Sequence, residues 1–370
     1  MKKILFMIHD LGPGGAEKVL VNLVNNMDSE KFDITVLSLV GGGVNERFLK
    51  PHIRRLTCFK RLIRGHTHIL KLLSPEVLHE RLIKEKYDIE VSYLEGPCAR
   101  IISGCPHPET KLVSWIHGEF ASKAVAAHSF CSFKESERCY QKFHRVVCVA
   151  GTLKQKFFEM YPSLSSMDVL YNTNETGIII QQKDEPVEDG VFYDGEIRLC
   201  GVGKLMPNKR FDAILRIHRR LRSQGYPVHT YLLGDGSERS KLKSYVSENS
   251  LTDSVTFLGY QTNPYKFVAN CDLFLCASVG EGFSTAATEA LIVGTPVCTV
   301  EVSGMKEMLG ENNEYGIVTK NDEEALYQAV KGLLDDPDRL AHYKKQATIR
   351  GKAFSKEKTV AAVEEMLLSL

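Results

Sequence analysis

The chain has 370 residues, enough for two domains of ordinary size. Hydrophobic residues make up 43% and charged residues 25%, which excludes wholesale disorder and collagen-like structure. Lys and Arg number 47 against 46 Asp and Glu, and a net charge of +1 removes any whole-chain electrostatic case for nucleic-acid binding.

The predicted elements run strand, glycine turn, helix. Lys3–Ile8 is a short apolar strand ended by His9-Asp10. Its apolar core is too short for a secretory signal, and no apolar run in the chain reaches the ~18 residues needed to span a bilayer. Gly12-Pro13-Gly14-Gly15 makes the turn, and Ala16–Met27 reads as a helix with Val19, Leu20, Leu23 and Val24 on one face. Further strands are expected at Phe32–Val40, Asp88–Leu94, Lys111–Ile116, Arg145–Val149 and Asp168–Tyr171. Short, nearly continuous apolar strands alternating with helices predict a parallel sheet covered on both faces.

Charge is unevenly spread, with an excess of five positive charges over the first 180 residues and of four negative charges over the rest. Arg47–Leu73 is the extreme stretch. It holds Arg47, Lys50, Arg54, Arg55, Lys60, Arg61, Arg64 and Lys71, no acid, and interleaved apolar residues such as Leu49, Ile53, Leu56 and Phe59. Such a surface suits anionic lipid headgroups; a solvated helix face beside a loop fits it equally well.

Residues 177–196 are polar, acidic and turn-rich, and read as a linker. Beyond it a second α/β series is expected, with strands at Ile197–Val202, Val228–Leu233, Ser254–Leu258, Asp272–Ala277 and Pro296–Val300. Helices are expected at Phe211–Gln224, Glu238–Glu248 and Phe283–Val293, and a helical tail over Glu323–Leu334, Arg339–Phe354 and Lys356–Leu368. The division predicted is 1–176, linker 177–196, 197–354, and a last helix, 355–370, that packs back on the first domain. Ten cysteines lack any Cys-x-x-Cys pair, and several lie in strand-like runs, so they read as reduced, buried thiols of a cytosolic protein with no structural zinc.

Five junctions could carry chemistry. Gly14-Gly15 opens the first helix, where backbone amides approach an anion closely. Trp115-Ile116-His117-Gly118 places a histidine just past a strand. Gly203-Lys204 through Lys209 puts two ammonium groups around one turn, where both could meet a single diphosphate. Gly234-Asp235-Gly236 with Glu238 is another strand–glycine–helix junction. Glu281-Gly282-Phe283-Ser284-Thr285 leads into a helix that carries Glu289, so two carboxylates able to accept sugar hydroxyls lie eight residues apart, about 12 Å along a fully helical path. Each junction alone also fits an ordinary strand–turn–helix connection.

In this order and together, these junctions resemble the retaining glycosyltransferases of family 4, over about residues 3–350. The resemblance implies the GT-B fold, two Rossmann-like domains facing each other across a cleft. It implies a nucleotide-sugar donor, UDP-linked in preference to GDP-linked, with no metal and no other cofactor. Glu281 would contact the donor sugar and Glu289 the ribose. The amides of Gly282, Phe283, Ser284 and Thr285 and the Gly14-Gly15 loop would hold diphosphate and sugar, with Gly203, Gly234 and Glu238 completing the donor site. Lys204 and Lys209 would take the diphosphate, and His117 would meet the sugar near the reacting carbon. Lys204 stands where the family often has Arg, which replaces a bidentate fork by a point charge. The expected reaction moves a hexose or N-acetylhexosamine to a lipid-linked or cell-surface glycan, in capsule or lipopolysaccharide synthesis, at the cytoplasmic face of the membrane. A UDP-sugar 2-epimerase of the same fold and an inactive glycan-binding relative are the alternatives.

Overall fold

Lys2–Ile8 forms the first strand, β1, and every side chain from Ile4 to Ile8 is fully buried. A strand apolar at consecutive positions needs cover on both faces, and a parallel sheet with helices on each side supplies it. The computed structural model describes residues 1–61, 70–188 and 190–370, which group into two compact units. One unit comprises Met1–Thr173 with Lys356–Leu370; the other is Asn174–Ser355.

The first unit is built on a seven-stranded parallel sheet. Its strands are β1, β2 (Phe32–Val40), β3 (Arg54–Phe59), β4 (Ile89–Ser92), β5 (Lys111–Ile116), β6 (Arg145–Cys148) and β7 (Met167–Val169), in the order β3-β2-β1-β4-β5-β6-β7. The winding direction reverses between β1 and β4, whose register pairs Met7 with Ser92. In such sheets the loops after the two reversing strands open a crevice, the usual place for a ligand. The last helix, Lys356–Leu368, groups with this unit: Lys2 Nζ donates to the Leu367 carbonyl at 3.1 Å, and the Asp28 amide donates to Glu364 at 2.7 Å.

The second unit has six parallel strands, β8 (Ile197–Val202), β9 (Val228–Leu233), β10 (Val255–Gly259), β11 (Leu273–Cys276), β12 (Val297–Val300) and β13 (Ile317–Thr319). Their order is β10-β9-β8-β11-β12-β13, with the reversal between β8 and β11. Both units are therefore Rossmann-like, and the fold is of GT-B type. The run read as a linker opens instead with a helix, Thr176–Gln182, which buries Ile179. Its three consecutive isoleucines, Ile178 to Ile180, lack helical spacing, and only Ile179 turns inward. The tail helix expected from Arg339 begins at Pro337, where Asp336 caps the Arg339 amide and proline occupies the first helical turn.

All ten cysteines are free, and Cys98, Cys139, Cys148, Cys200, Cys271, Cys276 and Cys298 are buried. Cys131 is the exposed exception. Among the described residues no helix is long and apolar enough to cross a membrane. Of the basic stretch Arg47–Leu73, residues 62–69 lie outside the described residues.

Candidate functional site

In the second unit the chemistry gathers on the loops that follow β8 and β11. The β8 loop leaves the sheet at Gly203, passes the half-buried Lys204, and closes in a short 3-10 turn, Pro207–Lys209. The Val279 amide donates to the Asn208 carbonyl at 2.9 Å, which ties the two loops together by backbone. Their side chains then meet. Lys209 Nζ lies 2.6 Å from Glu281 Oε1, and Ser278 Oγ donates to the same oxygen at 2.7 Å. Glu281 is only 12% exposed at its side chain, so a charge-assisted bond here outweighs one on an open surface.

Arg210, the next residue, has a left-handed backbone, φ 49° and ψ 45°. It sends its guanidinium to Glu323 at 3.4 Å. The turn therefore divides two adjacent cations, Lys209 toward Glu281 and Arg210 toward Glu323.

Glycine is required where the β9 loop crosses the β8 loop. Gly234 has φ +132°, and a Cβ there would stand 1.9 Å from the Gly203 carbonyl oxygen. The Leu205 amide donates to Asp235 O at 3.0 Å, and the Glu238 amide to Leu205 O at 2.9 Å. Glu238 begins the helix Arg239–Glu248, and its carboxylate pairs with Lys241 at 3.2 Å.

The helix expected from Phe283 starts two residues later, as Thr285–Val293, with Ser284 as its cap. Glu281 thus sits on the loop and Glu289 on the helix, so a fully helical path does not separate them. Ser284 Oγ accepts from the Ala287 amide at 3.4 Å, and Thr288 N bonds Ser284 O in the ordinary helical way. That leaves the first-turn amides of Thr285 and Ala286, both half-buried, without an acceptor inside the helix. Phe283 is buried, its ring 6.1 Å from that of Phe354, so its side chain serves packing. Gly304 lets a neighbouring loop cover Gly282: a Cβ there would lie 2.7 Å from the Gly282 carbonyl oxygen. Glu289 is 7% exposed, with the Tyr265 hydroxyl 3.4 Å from Oε1.

In the first unit, the loop after β1 is organised by its own side chains. Asp10 accepts from His9 Nδ1 at 2.8 Å and from the Gly12 amide at 2.6 Å, while the Gly14 amide bonds Gly12 O at 2.8 Å. Gly14 precedes the helix Gly15–Asn26, and a Cβ there would lie 1.9 Å from a Glu17 carboxylate oxygen.

His117 follows β5 at the same end of that sheet. Its ring centroid is 4.9 Å from that of Tyr93, and Nε2 is buried with no hydrogen-bond partner among the described residues. Burial lowers its pKa to about 3, so the imidazole is neutral. Glu95, just past β4, accepts from the His117 amide at 3.0 Å. Burial raises the Glu95 pKa, and the amide bonds from His117, Glu95 itself and Gly118 oppose that rise.

One cluster among the described residues has the composition of a metal site: His79, Glu90 and Cys105, with ligand atoms within 4.8 Å of one another. His79 Nε2 and Glu90 Oε2 meet at 2.7 Å, both buried, and this pair fastens the helix Pro75–Leu82 onto β4. The pair satisfies both groups without an ion.

Sequence reading named Lys209, Glu281, Glu289 and His117 but not the roles of Ser278, Asn208 and Glu95 in these loops. Ser278 stands two residues and Glu95 three residues beyond a strand at a winding reversal, a positional signal that becomes visible once strand order is known.

Residues 182–350 match the family model of group 1 glycosyl transferases. The whole chain is 27% identical, over the full length of both proteins, to a Campylobacter jejuni N-acetylgalactosamine-N,N'-diacetylbacillosaminyl-diphospho-undecaprenol 4-alpha-N-acetylgalactosaminyltransferase. It is also 27% identical to the lipopolysaccharide core biosynthesis glycosyltransferase LpsE of Rhizobium meliloti, covering 96% of each chain. Among solved structures it resembles Anabaena HepE in complex with UDP, with a TM-score of 0.78 at 18% identity over the full length of both. It also resembles a sucrose-phosphate synthase from Thermosynechococcus elongatus, with a TM-score of 0.79 at 14% identity over 100% of this chain and 99% of that one.

Proposed function

From the match to group 1 glycosyl transferases we propose that the chain is such an enzyme and moves an N-acetylhexosamine or hexose from a UDP-sugar to a lipid-linked glycan, with retention at the reacting carbon. The observation that carries the donor assignment is the Lys209–Glu281 contact at the β8/β11 reversal. An ammonium has three N–H donors, and one is used on Glu281. Two remain for the diphosphate, and the Glu281 carboxylate beside it can accept sugar hydroxyls.

Charge grows on the diphosphate only as the glycosidic bond breaks. Lys204, Lys209 and the amides of Thr285 and Ala286 are the groups that meet it, so their contribution is larger in the transition state than in the ground state. They supply positive charge that needs no metal. Glu289 takes the ribose hydroxyls, and neutral His117 offers Nε2 to the transferred sugar. UDP in the HepE complex and the undecaprenyl acceptor in the Campylobacter enzyme's name support the choice of donor and acceptor class.

The basic stretch supports attachment at the cytoplasmic membrane face. β3 is the edge strand of its sheet, and Phe48 and Phe59 beside it are exposed, with Arg47 stacked 4.7 Å above the Phe48 ring. Arg54 pairs with Glu85 and Arg55 with Glu46, so Arg47, Lys50, Lys60 and Arg61 are the described bases of the run between Arg47 and Arg61 that carry no acid partner among the ion pairs.

The test is release of UDP or GDP from a panel of nucleotide sugars by the full chain, with and without a polyprenyl-diphosphate-linked glycan. Acceptor-dependent UDP release with an α-linked product and no effect of a chelator is expected. Interconversion of UDP-sugars without acceptor would establish the epimerase instead, and no turnover with UDP binding intact would establish an inactive relative.

A further inference from the structure

Glu95 belongs to no catalytic motif read from the sequence, yet it is built into the turn that carries His117. It sits where β4 ends, and β4 lies beside β5 in register, Ser92 opposite Ser114. From there its carboxylate crosses to the next strand's loop. Oε2 accepts from the His117 amide at 3.0 Å. A Cβ on Gly118 would stand 3.0 Å from Oε1, so glycine is what admits the carboxylate this close. The His117 ring is meanwhile held by packing, against Tyr93 at 4.9 Å, with Tyr93 in turn 5.1 Å from Trp115. The backbone is held by a hydrogen bond and the ring by packing, and the ring's Nε2 is buried without a hydrogen-bond partner among the described residues.

A carboxylate partly withdrawn from water, as Glu95 is, is costly to desolvate, and it is tolerated where its bonds secure a geometry. We propose that Glu95 is a positioning residue for the transfer reaction: its carboxylate, bonded to the amide of His117 and fitted against Gly118, sets the direction in which His117 Nε2 is presented. This rests on the reading that His117 meets the donor sugar. Glu95 touches no reacting atom, so its effect passes wholly through His117. A misplacement of about 1 Å in a catalytic contact costs on the order of a hundredfold in rate.

The experiment compares Glu95→Ala, Glu95→Gln, Glu95→Asp, His117→Ala and the double variant Glu95→Ala/His117→Ala in the full chain. UDP release is measured from UDP-N-acetylglucosamine and UDP-N-acetylgalactosamine in the presence of a polyprenyl-diphosphate-linked glycan acceptor. Glu95→Ala is expected to lower kcat roughly tenfold to a hundredfold with the donor KM within about threefold. Gln, which still offers an acceptor oxygen, restores most of the rate. Asp, which withdraws the carboxylate by one methylene, gives an intermediate loss and serves if the alanine variant does not fold. The double variant is no slower than His117→Ala. A slow His117→Ala beside wild-type rates for Glu95→Ala and Glu95→Asp, or losses that multiply in the double variant, overturn the inference alone. A wild-type rate for His117→Ala overturns the reading of His117. NMR of the His117 imidazole judges the positioning role independently of turnover: one neutral tautomer in wild type and Glu95→Gln, and an altered or exchange-broadened signal in Glu95→Ala or Glu95→Asp, are expected. An unchanged signal in both would overturn the proposal.

Discussion

Lys209 Nζ lies 2.6 Å from Glu281 Oε1 across 72 residues of sequence, and the contact joins the two loops that flank the winding reversal of the second sheet. On the proposed reading, a pair placed there links the group assigned to the sugar to a group assigned to the leaving diphosphate.

Lys209→Ala is expected to slow turnover roughly tenfold to a hundredfold, the worth of one charge-assisted phosphate contact of ~1.5–3 kcal/mol. Adding Glu281→Gln should cost less than its effect in the wild type, because the two side chains are in direct contact. Steady-state UDP release is the measurement, with the thermal unfolding midpoint as control. Wild-type turnover in Lys209→Ala would remove this lysine from the site. Lys204→Ala is expected to behave in the same direction.

Glu289 is nearly buried on the helix Thr285–Val293 and is assigned the ribose. Glu289→Ala should therefore weaken UDP itself, with or without the sugar. Calorimetric titration with UDP checks this, and unchanged affinity would count against the ribose role.

Gly234→Ala tests the backbone crossing. Its Cβ would fall 1.9 Å from the Gly203 carbonyl oxygen, at a φ that alanine rarely adopts. Neither atom can move without parting the β8 and β9 loops. Lower thermal stability together with lost UDP binding is the expected result; a variant that matches wild type in both would mean that the loops relax freely.

Three histidines set opposite pH dependences. His117 and His218 have pKa values lowered to about 3 by burial, and His218 is satisfied as neutral imidazole by Ser254 and Thr230, at 2.9 and 2.8 Å. Between pH 6.5 and 3 the unfolded chain binds more protons at these sites, so their contribution to stability is intact above pH 6.5 and falls with acid. The slope reaches ~1.4 kcal/mol per pH unit per group. His79 runs the other way. Burial lowers its pKa, but Cys105 and Glu90 more than reverse this and raise it to about 9. Its contribution is full below pH 6.5 and is lost as pH rises through 9. Denaturant midpoints measured from pH 4 to pH 10 should fall at both ends, and His79→Gln should flatten the alkaline side, with its full cost in stability at and below pH 6.5. A midpoint that rises between pH 6.5 and 4 would contradict the assignment of His117 and His218.

The basic edge predicts salt-sensitive attachment to anionic vesicles. Each exposed Lys or Arg near the surface contributes ~1 kcal/mol before screening, and apolar Phe48 and Phe59 deepen the contact. Sedimentation with anionic and neutral lipids is the check; Arg47→Glu with Lys60→Glu should release the protein. Equal binding to both lipids, or none to either, would leave this surface as a solvated face.

The α/β alternation and most strands were legible because most strands are short apolar runs; the exposed, basic β3 and the three-residue β13 gave no such signal. Boundaries slipped where capping decided them. Ser284 takes the N-cap of the helix expected from Phe283, and Asp336 with Pro337 starts the tail helix early. The helix Thr176–Gln182 was hidden because its burial rests on Ile179, which local composition does not reveal.

Sequence by itself determined two Rossmann-like halves, the order of glycine junctions, and the residue types that a nucleotide-sugar site needs, because periodicity and turn chemistry are local. Tertiary structure alone decided the partners. Lys209 goes to Glu281 while neighbouring Arg210 goes to Glu323, and Glu95 bonds the His117 amide from the adjacent strand. Strand order brings these groups together, and strand order is set by packing across the whole sheet, which no local run of residues encodes.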